Sequence, residues 1–288
     1  YAFFLIYEKK IVLLHPMKHI RIISPAGVIE PNYVTKAKDR LESWGFRVSL
    51  GTHVFDQHGR FAGTSEERLE DINAAFADAT VDIILCSRGG YGLQQIVDKI
   101  VLPTRPKEEW PLVVGFSDVT ILHALMSVNG VPSLHASMCK ALATLQEDDT
   151  ALMHLRNALE TGRMWENAVS AGKPIVGGNL SVLYGLQGTP YSLNAIIDKC
   201  ETAPWLLIED ICERHYHIDR MLNNLRMSGV LDRVSGVIVG QFTDCDDDPK
   251  MNCTVQQTIA QILSGYDFPI IWNAPYGHID GNEPILLL

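Results

Sequence analysis

Short apolar segments alternate with amphipathic segments over residues 17–115, and this alternation restricts the fold more than any other feature. The strand-like apolar runs are residues 19–23, 46–50, 81–86 and 112–115. The segments with helical periodicity are residues 33–44, 64–77, 93–99 and 118–128. Consecutive parallel strands need a crossover of this length, usually a helix. The sequence therefore predicts an α/β fold with a parallel sheet that is covered on both faces.

A second α/β unit with a different rhythm follows. Its strand-like runs are residues 205–209, 234–239 and 269–272, and its helical segments are residues 180–186, 217–228 and 254–263. Residues 161–178 lack long periodicity and contain Gly, Lys, Pro and Ser, which is typical of a linker. We expect an N-terminal α/β domain over residues 17–165 and a C-terminal α/β domain over residues 166–288, with the active site between them.

Both ends of the sequence are irregular. Residues 1–16 begin with a short apolar run, and the positive charges follow that run instead of preceding it. The run is too short to span a bilayer and is a poor signal peptide. We expect residues 1–16 to be an extraneous leader. The apolar run 286–288 is strand-like, and we expect the C-terminal domain to be truncated there.

The composition limits the classes of partner. The formal net charge is −10, whereas a nucleic-acid groove needs a clustered basic surface, so no nucleic-acid partner is expected. Hydrophobic residues make up 47% and charged residues 20%, which is typical of a soluble globular protein without a membrane partner. The six cysteines include no C-x-x-C pair, so neither a zinc site nor a disulfide framework is indicated. A reducing compartment is expected.

Ser117 lies in Gly115-Phe116-Ser117-Asp118, between a strand-like run and a helical one. A nucleophilic serine occupies such a turn in many hydrolases, where the helix N-terminus supplies free N–H groups and positive potential. The pattern differs from the Gly-x-Ser-x-Gly of α/β-hydrolases. On this segment alone, a serine that only caps the helix is the more common case.

A glycine-rich turn, Arg88-Gly89-Gly90-Tyr91-Gly92, follows another apolar run. Consecutive glycines let backbone N–H groups surround an anion, which here is a phosphate, a substrate carboxylate or a developing oxyanion. Gln95 stands where a dinucleotide fingerprint needs its third glycine, so a nicotinamide-dependent oxidoreductase is the weakest hypothesis. A plain tight turn remains an alternative.

Two further residues follow strand-like runs in the C-terminal half. Glu209 is placed to orient an imidazole, although pairing with Arg214 or Arg220 is the more frequent fate of such a carboxylate. His278 follows Gly277 on a loop and is a candidate general base. A solvated loop histidine is the alternative.

Taken in order, these motifs closely resemble the LD-carboxypeptidase family over residues 20–283. The motifs that carry the resemblance are Arg88-Gly89-Gly90-Tyr91-Gly92, Gly115-Phe116-Ser117-Asp118, Gly177-Gly178-Asn179-Leu180, Leu207-Ile208-Glu209-Asp210 and Gly277-His278. One departure is His135-Ala136-Ser137, where many relatives have a His/Ser-Gly-Pro turn. That difference bears on local contacts in the wall of the site and not on the candidate catalytic residues.

The resemblance implies a serine peptidase in which Ser117 is the nucleophile, His278 the general base and Glu209 the residue that orients the imidazole. It also implies an oxyanion hole and a substrate-binding surface. The oxyanion residues are Asp118, Gly89 and Gly90, and the substrate-binding residues are Arg88 and Tyr91. For Arg88 a structural salt bridge is the alternative.

The activity implied by the resemblance is removal of the terminal D-alanine from murein tetrapeptides during cytoplasmic recycling of peptidoglycan. The family suggests a homodimer without a metal or organic cofactor. Two alternatives are hydrolysis of peptidyl or aminoacyl nucleotides, as in microcin self-immunity proteins, and non-catalytic sensing of murein peptides. We see no aromatic cluster for stacking a base, since Trp165 and Trp205 are interpreted as core or linker residues.

Overall fold

The structure is a computed structural model that describes residues 17–161 and 172–288. The leader segment 1–16, the domain boundary at 165/166 and Trp165 lie outside these ranges. Within them, no helix combines the length and the hydropathy needed to cross a bilayer.

The described chain forms two sheets flanked by helices. The strands are β1 (His19–Ile23), β2 (Arg47–Leu50), β3 (Ile83–Cys86), β4 (Leu112–Gly115), β5 (Ser133–His135), β6 (Ile175–Asn179), β7 (Trp205–Ile211), β8 (Gly236–Thr243), β9 (Ile270–Ile271) and β10 (Ile285–Leu287). The helices are α1 (Pro31–Ser43), α2 (Ser65–Ala77), α3 (Thr120–Val128), α4 (Cys139–Thr144), α5 (Thr150–Thr161), α6 (Leu180–Gly185), α7 (Leu193–Ile197), α8 (His215–Met227) and α9 (Val255–Leu263).

The first sheet has the order β10-β5-β4-β3-β1-β2 and the second the order β6-β7-β8-β9. All neighbouring strands are parallel except β10, which runs antiparallel to β5. The α/β class with two parallel-sheet units is therefore confirmed. In the first sheet the strand order reverses direction between β1 and β3, and doubly wound folds bind ligands beyond the carboxyl ends of such strands.

Several elements differ from the sequence-based expectations. β6 begins inside the segment expected to be a linker. The strand was not predicted because its two glycines interrupt the apolar pattern. Gly178 lies so close to Thr120 that a Cβ there would stand 2.6 Å from the Thr120 hydroxyl oxygen. Residues 93–99 form two short 3₁₀ turns instead of a helix. The strand β10 joins the first sheet, although sequence order assigned it to the C-terminal domain.

One continuous hydrophobic core reaches both sheets. It includes Ile23 from β1, Leu122 from α3, Val176 from β6 and Leu206 from β7, each almost fully buried. Helix α3 also makes a polar contact across the junction, because Thr120 Oγ1 accepts a hydrogen bond from the Asn179 N–H at 3.0 Å. Residues from both sheets are therefore held in a fixed relation by packing.

A histidine is buried in this core directly behind the β4 turn. His123 on α3 is 1% exposed, its Nε2 donates to the Gly115 carbonyl at 2.9 Å, and its Nδ1 accepts from the Ser133 hydroxyl at 2.8 Å. The tautomer follows from the partners, because a carbonyl oxygen only accepts. Burial lowers the pKa of His123 from 6.5 to about 4. His123 therefore stays neutral in the folded protein at mildly acidic pH.

This shift predicts an acid-sensitive stability. Between pH 6.5 and 4 the unfolded chain binds a proton at His123 that the folded chain does not, so the free energy of unfolding falls as the pH falls. We expect His123 to account for about 2 kcal/mol of the loss between pH 7.5 and pH 5. In His123→Gln, whose amide does not titrate, urea denaturation at both pH values should show a correspondingly smaller loss.

The matched control is His58→Gln, at an exposed histidine, which should keep the full pH dependence. An unchanged pH dependence in His123→Gln would contradict the assignment.

Candidate active site

Ser117 stands on a strained turn at the carboxyl end of β4. Its φ is +66°, which is uncommon for a residue other than glycine and is typical of functional turns. The preceding Gly115 has φ +158°, and a Cβ there would lie 2.9 Å from the Val119 methyls. The N-cap residues of the turn 117–119 and of α3 are Phe116 and Val119, so Ser117 occupies the capping position of neither. The hydroxyl is therefore available for chemistry.

The loop of residues 88–92, hereafter the glycine loop, lies directly against Ser117. A Cβ built on Gly89 would stand 2.8 Å from Ser117 Cβ and 3.0 Å from its Oγ, so only glycine allows this approach. The Gly89 carbonyl accepts from the Gly27 N–H at 3.0 Å, which orients the peptide between Gly89 and Gly90. Among the described residues, the N–H groups of Gly90 and Asp118 have no acceptor.

Glu209 and His278 form a hydrogen-bonded pair in the second unit. Glu209 lies in β7, is fully buried, and its Oε2 is 2.9 Å from His278 Nδ1. The β7–β8 register shifts across Glu209, an irregularity of the kind that re-aims side chains. In the described part of the chain, Glu209 pairs with neither Arg214 nor Arg220. The buried carboxylate thus has the imidazole as its hydrogen-bond partner.

The loop that carries His278 is fastened at several points. The His278 carbonyl accepts from Thr243 Oγ1 at 3.1 Å, and the Gly277 N–H donates to Asn282 Oδ1 at 2.9 Å. Asn282 is 1% exposed, and its own carbonyl accepts from Ser137 Oγ at 3.3 Å. Sequence reasoning missed Asn282, whose only local signal is a Gly-Asn turn. These contacts limit the movement of the imidazole.

The two halves of the site meet at Phe116. Its ring centroid is 4.9 Å from that of His278, in an edge-on arrangement, and 5.7 Å from that of the buried His135. The residue beside Ser117 therefore touches the histidine contributed by the other sheet. Within residues 17–161 and 172–288, no hydrogen bond joins Ser117 Oγ to His278, and such bonds are often long before a substrate is bound.

Arg88 and Tyr91 belong to the glycine loop beside Ser117. Arg88 is exposed, its Nη1 donates to the Val28 carbonyl at 2.7 Å, and it forms no ion pair with an acid in residues 17–161 or 172–288. Tyr91 is 41% exposed, and its ring is 5.9 Å from the Phe61 ring, with the Arg60 guanidinium 5.8 Å away. Arg60 and Phe61 were not identified from the sequence, because no local pattern brings residues 60–61 to the glycine loop.

Two buried carboxyl groups lie beside the predicted site residues. Burial raises the pKa of Asp118, although hydrogen bonds from backbone N–H groups oppose the shift. Burial also raises the pKa of Asp210 to about 7. Asp210 accepts from Asn179 Nδ2 at 3.0 Å and from the Ser181 N–H at 2.8 Å, which joins β7 to the start of α6. Carboxyl groups whose pKa is shifted by burial occur often at functional sites.

A separate group of possible metal ligands occurs among the described residues. Ligand atoms of His53, Asp56 and Glu67 lie within 4.8 Å of one another. His53 Nδ1 bonds Asp56 Oδ2 at 2.7 Å, and Glu67 Oε2 accepts from the Thr64 N–H at 2.7 Å in a capping box. These partners account for the three side chains without a metal.

Comparison with known proteins gives the family. The sequence model of the LD-carboxypeptidase N-terminal domain matches residues 20–136, and that of the LD-carboxypeptidase C-terminal domain matches residues 173–287. The chain is 33% identical to a probable murein peptide carboxypeptidase of Bacillus subtilis, over 90% of this chain and 83% of the relative. It is 25% identical to the murein tetrapeptide carboxypeptidase of Pseudomonas aeruginosa, over 90% and 87% of the two chains.

Solved structures share the fold. The muramoyltetrapeptide carboxypeptidase of Oxalobacter formigenes has a TM-score of 0.77 at 24% identity, covering 94% of this chain and 92% of its own. The microcin C7 self-immunity protein, solved with aspartyl sulfamoyl adenosine, has a TM-score of 0.75 at 16% identity, covering 95% and 92%. The two family domains together span most of the described residues, and the chain belongs to the LD-carboxypeptidase family of serine peptidases.

Proposed function

We propose that this enzyme removes the terminal D-alanine from murein tetrapeptides through an acyl-enzyme on Ser117. The observation that carries the proposal is the 2.9 Å hydrogen bond between buried Glu209 and His278, beside the turn that bears Ser117. Family membership supplies the LD-carboxypeptidase chemistry. The names of the Bacillus and Pseudomonas relatives support a murein peptide as the substrate.

The proposed triad works through the two imidazole nitrogens. With Nδ1–H donated to Glu209, the other nitrogen of His278 is unprotonated and takes the proton of Ser117 as Oγ attacks the carbonyl before the terminal D-residue. Collapse of the tetrahedral intermediate breaks the peptide bond, and His278 returns the proton to the leaving amine. Water then attacks the ester while His278 takes its proton, and His278 returns that proton to Ser117 Oγ as the ester bond breaks and the shortened peptide leaves.

The negative charge that develops on the carbonyl oxygen in the tetrahedral intermediate needs hydrogen-bond donors that are already in place. Asp118 follows Ser117 in the chain, and Gly90 follows Gly89, which packs against Ser117; the N–H groups of Gly90 and Asp118 have no acceptor among the described residues. We therefore assign the oxyanion hole to these two groups, with Gly89 providing the close approach. Preorganised donors of this kind stabilise the transition state without reorganising during the reaction.

The rest of the proposal concerns the substrate and the cellular setting. Arg88 is assigned to the substrate carboxylate and Tyr91 to the wall of the cleft, because both border the glycine loop and are exposed. The family resemblance supports action in cytoplasmic recycling of murein fragments, as a homodimer and without a metal or organic cofactor. The proposed mechanism itself uses only side chains, backbone N–H groups and water.

Substitution of triad members gives the first test. Ser117→Ala should abolish release of D-alanine from a murein tetrapeptide, measured by mass spectrometry. Glu209→Gln should lower kcat by about 10⁴-fold, because the neutral amide no longer holds the required tautomer or stabilises the imidazolium. The matched control is Glu213→Gln, which alters a Glu–His pair outside the site, with His217 Nδ1 3.0 Å from Glu213 Oε2, and should leave kcat unchanged.

The outcomes separate the hypotheses. Cleavage that survives in Ser117→Ala would exclude Ser117 as the nucleophile. If the folded parent enzyme leaves tetrapeptides intact but hydrolyses an aminoacyl sulfamoyl adenosine, the immunity-type activity replaces the proposed one. Tight binding of the tetrapeptide without turnover of either compound would favour the sensor hypothesis.

The close packing at Gly89 gives a second test. In Gly89→Ala the new methyl group meets Ser117 Cβ at 2.8 Å, so the glycine loop or the serine must move. We expect kcat to fall about 100-fold, as when one oxyanion donor is lost, with a native circular dichroism spectrum. Gly265→Ala is the control, because a Cβ there meets nothing within 4 Å. Equal activity of the two variants would contradict the tight contact.

A further inference from the structure

A buried arginine lies beneath the glycine loop, and no motif in the sequence marked it. Arg68 on α2 is 1% exposed. Its Nη1 donates to the Gly92 carbonyl at 2.9 Å and to the Pro25 carbonyl at 3.1 Å, and its Nη2 donates to Gln95 Oε1 at 2.8 Å. Burying a guanidinium is costly unless it is well bonded. Arg68 thus joins the segments that follow β1 and β3, on either side of the strand-order reversal.

The fit around Arg68 is tight. Its guanidinium lies 5.0 Å from the Phe61 ring centroid, so it also supports the segment that packs against Tyr91. Gly92 has φ +146°, and a Cβ there would stand 2.5 Å from Arg68 Nη1. The glycine at position 92 is therefore required for the guanidinium to reach the backbone.

The carboxylate of Asp118 holds the same peptide group from the other side. Asp118 is 3% exposed, and its Oδ2 accepts from the Leu93 N–H at 3.0 Å. The Gly92 carbonyl and the Leu93 N–H belong to one peptide unit and point in opposite directions. Arg68 binds the carbonyl and Asp118 binds the N–H, so the plane of this peptide is fixed.

We infer that Arg68 and the Asp118 side chain are positioning residues that preform the oxyanion hole. The glycine loop is pinned at one end by the Gly89–Gly27 hydrogen bond and at the other by this two-sided clamp. Gly90 lies between the two anchors. Because Asp118 also supplies a backbone N–H, the clamp ties the two proposed donors to each other. The inference rests on the proposed role of Ser117 as the nucleophile.

The test compares Arg68→Met with Arg105→Met. Arg105 also donates to main-chain carbonyls, those of Phe76 at 2.9 Å and Glu109 at 2.8 Å. It precedes β4 and therefore lies near the amino end of that strand, away from Ser117 at the carboxyl end. The first readout is the rate at which a fluorophosphonate labels Ser117, a reaction that loads negative charge onto a phosphoryl oxygen and releases fluoride. The second readout is kcat and KM for the tetrapeptide.

We expect Arg68→Met to slow labelling and to lower kcat by about 10- to 100-fold, because a displaced oxyanion donor costs transition-state stabilisation. KM should change less than about threefold, because ground-state binding is retained. Arg105→Met should match the parent enzyme in both readouts. A purely structural role for Arg68 would lower the melting temperature without this split between kcat and KM.

Normal labelling and normal kcat in folded Arg68→Met would overturn the inference. If that variant does not fold, Arg68→Lys takes its place, because a single ammonium cannot bond all the acceptors that the guanidinium reaches. It should still be slowed about tenfold, and parent-like rates would again overturn the inference. Labelling of the parent enzyme at Ser117 without tetrapeptide cleavage would refute the proposed substrate, while the labelling rates still decide the role of Arg68. A parent enzyme that is not labelled at Ser117 would refute both.

Discussion

The buried carboxylate of Glu209 is the constraint on which the site depends. A buried carboxylate is costly unless it is hydrogen-bonded, and among the described residues Oε2 bonds the imidazole of His278 while Oε1 has no partner. That requirement explains the fastening of the surrounding loop. Gly277 leaves room for the carboxylate, since a Cβ there would lie 3.0 Å from Glu209 Oε2, and Asn282 anchors the Gly277 N–H. Glu209 lies in a strand of the second sheet, and His278 lies on the loop that follows β9 of that sheet.

The candidate nucleophile comes from the first sheet, and its conformation has a different cause. Ser117 keeps a positive φ because the elements around it leave little freedom: His123 binds the Gly115 carbonyl from behind, and the glycine loop packs on the serine from above. The shared hydrophobic core then brings Phe116 against His278. The candidate site thus combines a strained turn at Ser117, a buried carboxyl group at Glu209 and the packing of the two sheets against each other.

Some strands of the structure could be predicted from the sequence and others could not. The strands that precede the glycine loop and Ser117, and the strand that contains Glu209, were predictable, because continuous apolar runs are typical of buried parallel strands. β5 and β6 were not predicted. β5 has only three residues, and the glycines of β6 are a consequence of close packing that local sequence does not express.

By itself, the sequence determined the α/β class, the family and the order of the candidate residues Ser117, Glu209 and His278, because strand periodicity and short motifs are local properties of the chain. Tertiary structure alone decided that Glu209 pairs with His278 and not with a neighbouring arginine, and that Arg68 and Asp118 share one peptide of the glycine loop. It also decided that β10 joins the first sheet. Such contacts join residues far apart in the chain, and their energies depend on burial, which emerges only when the elements have packed.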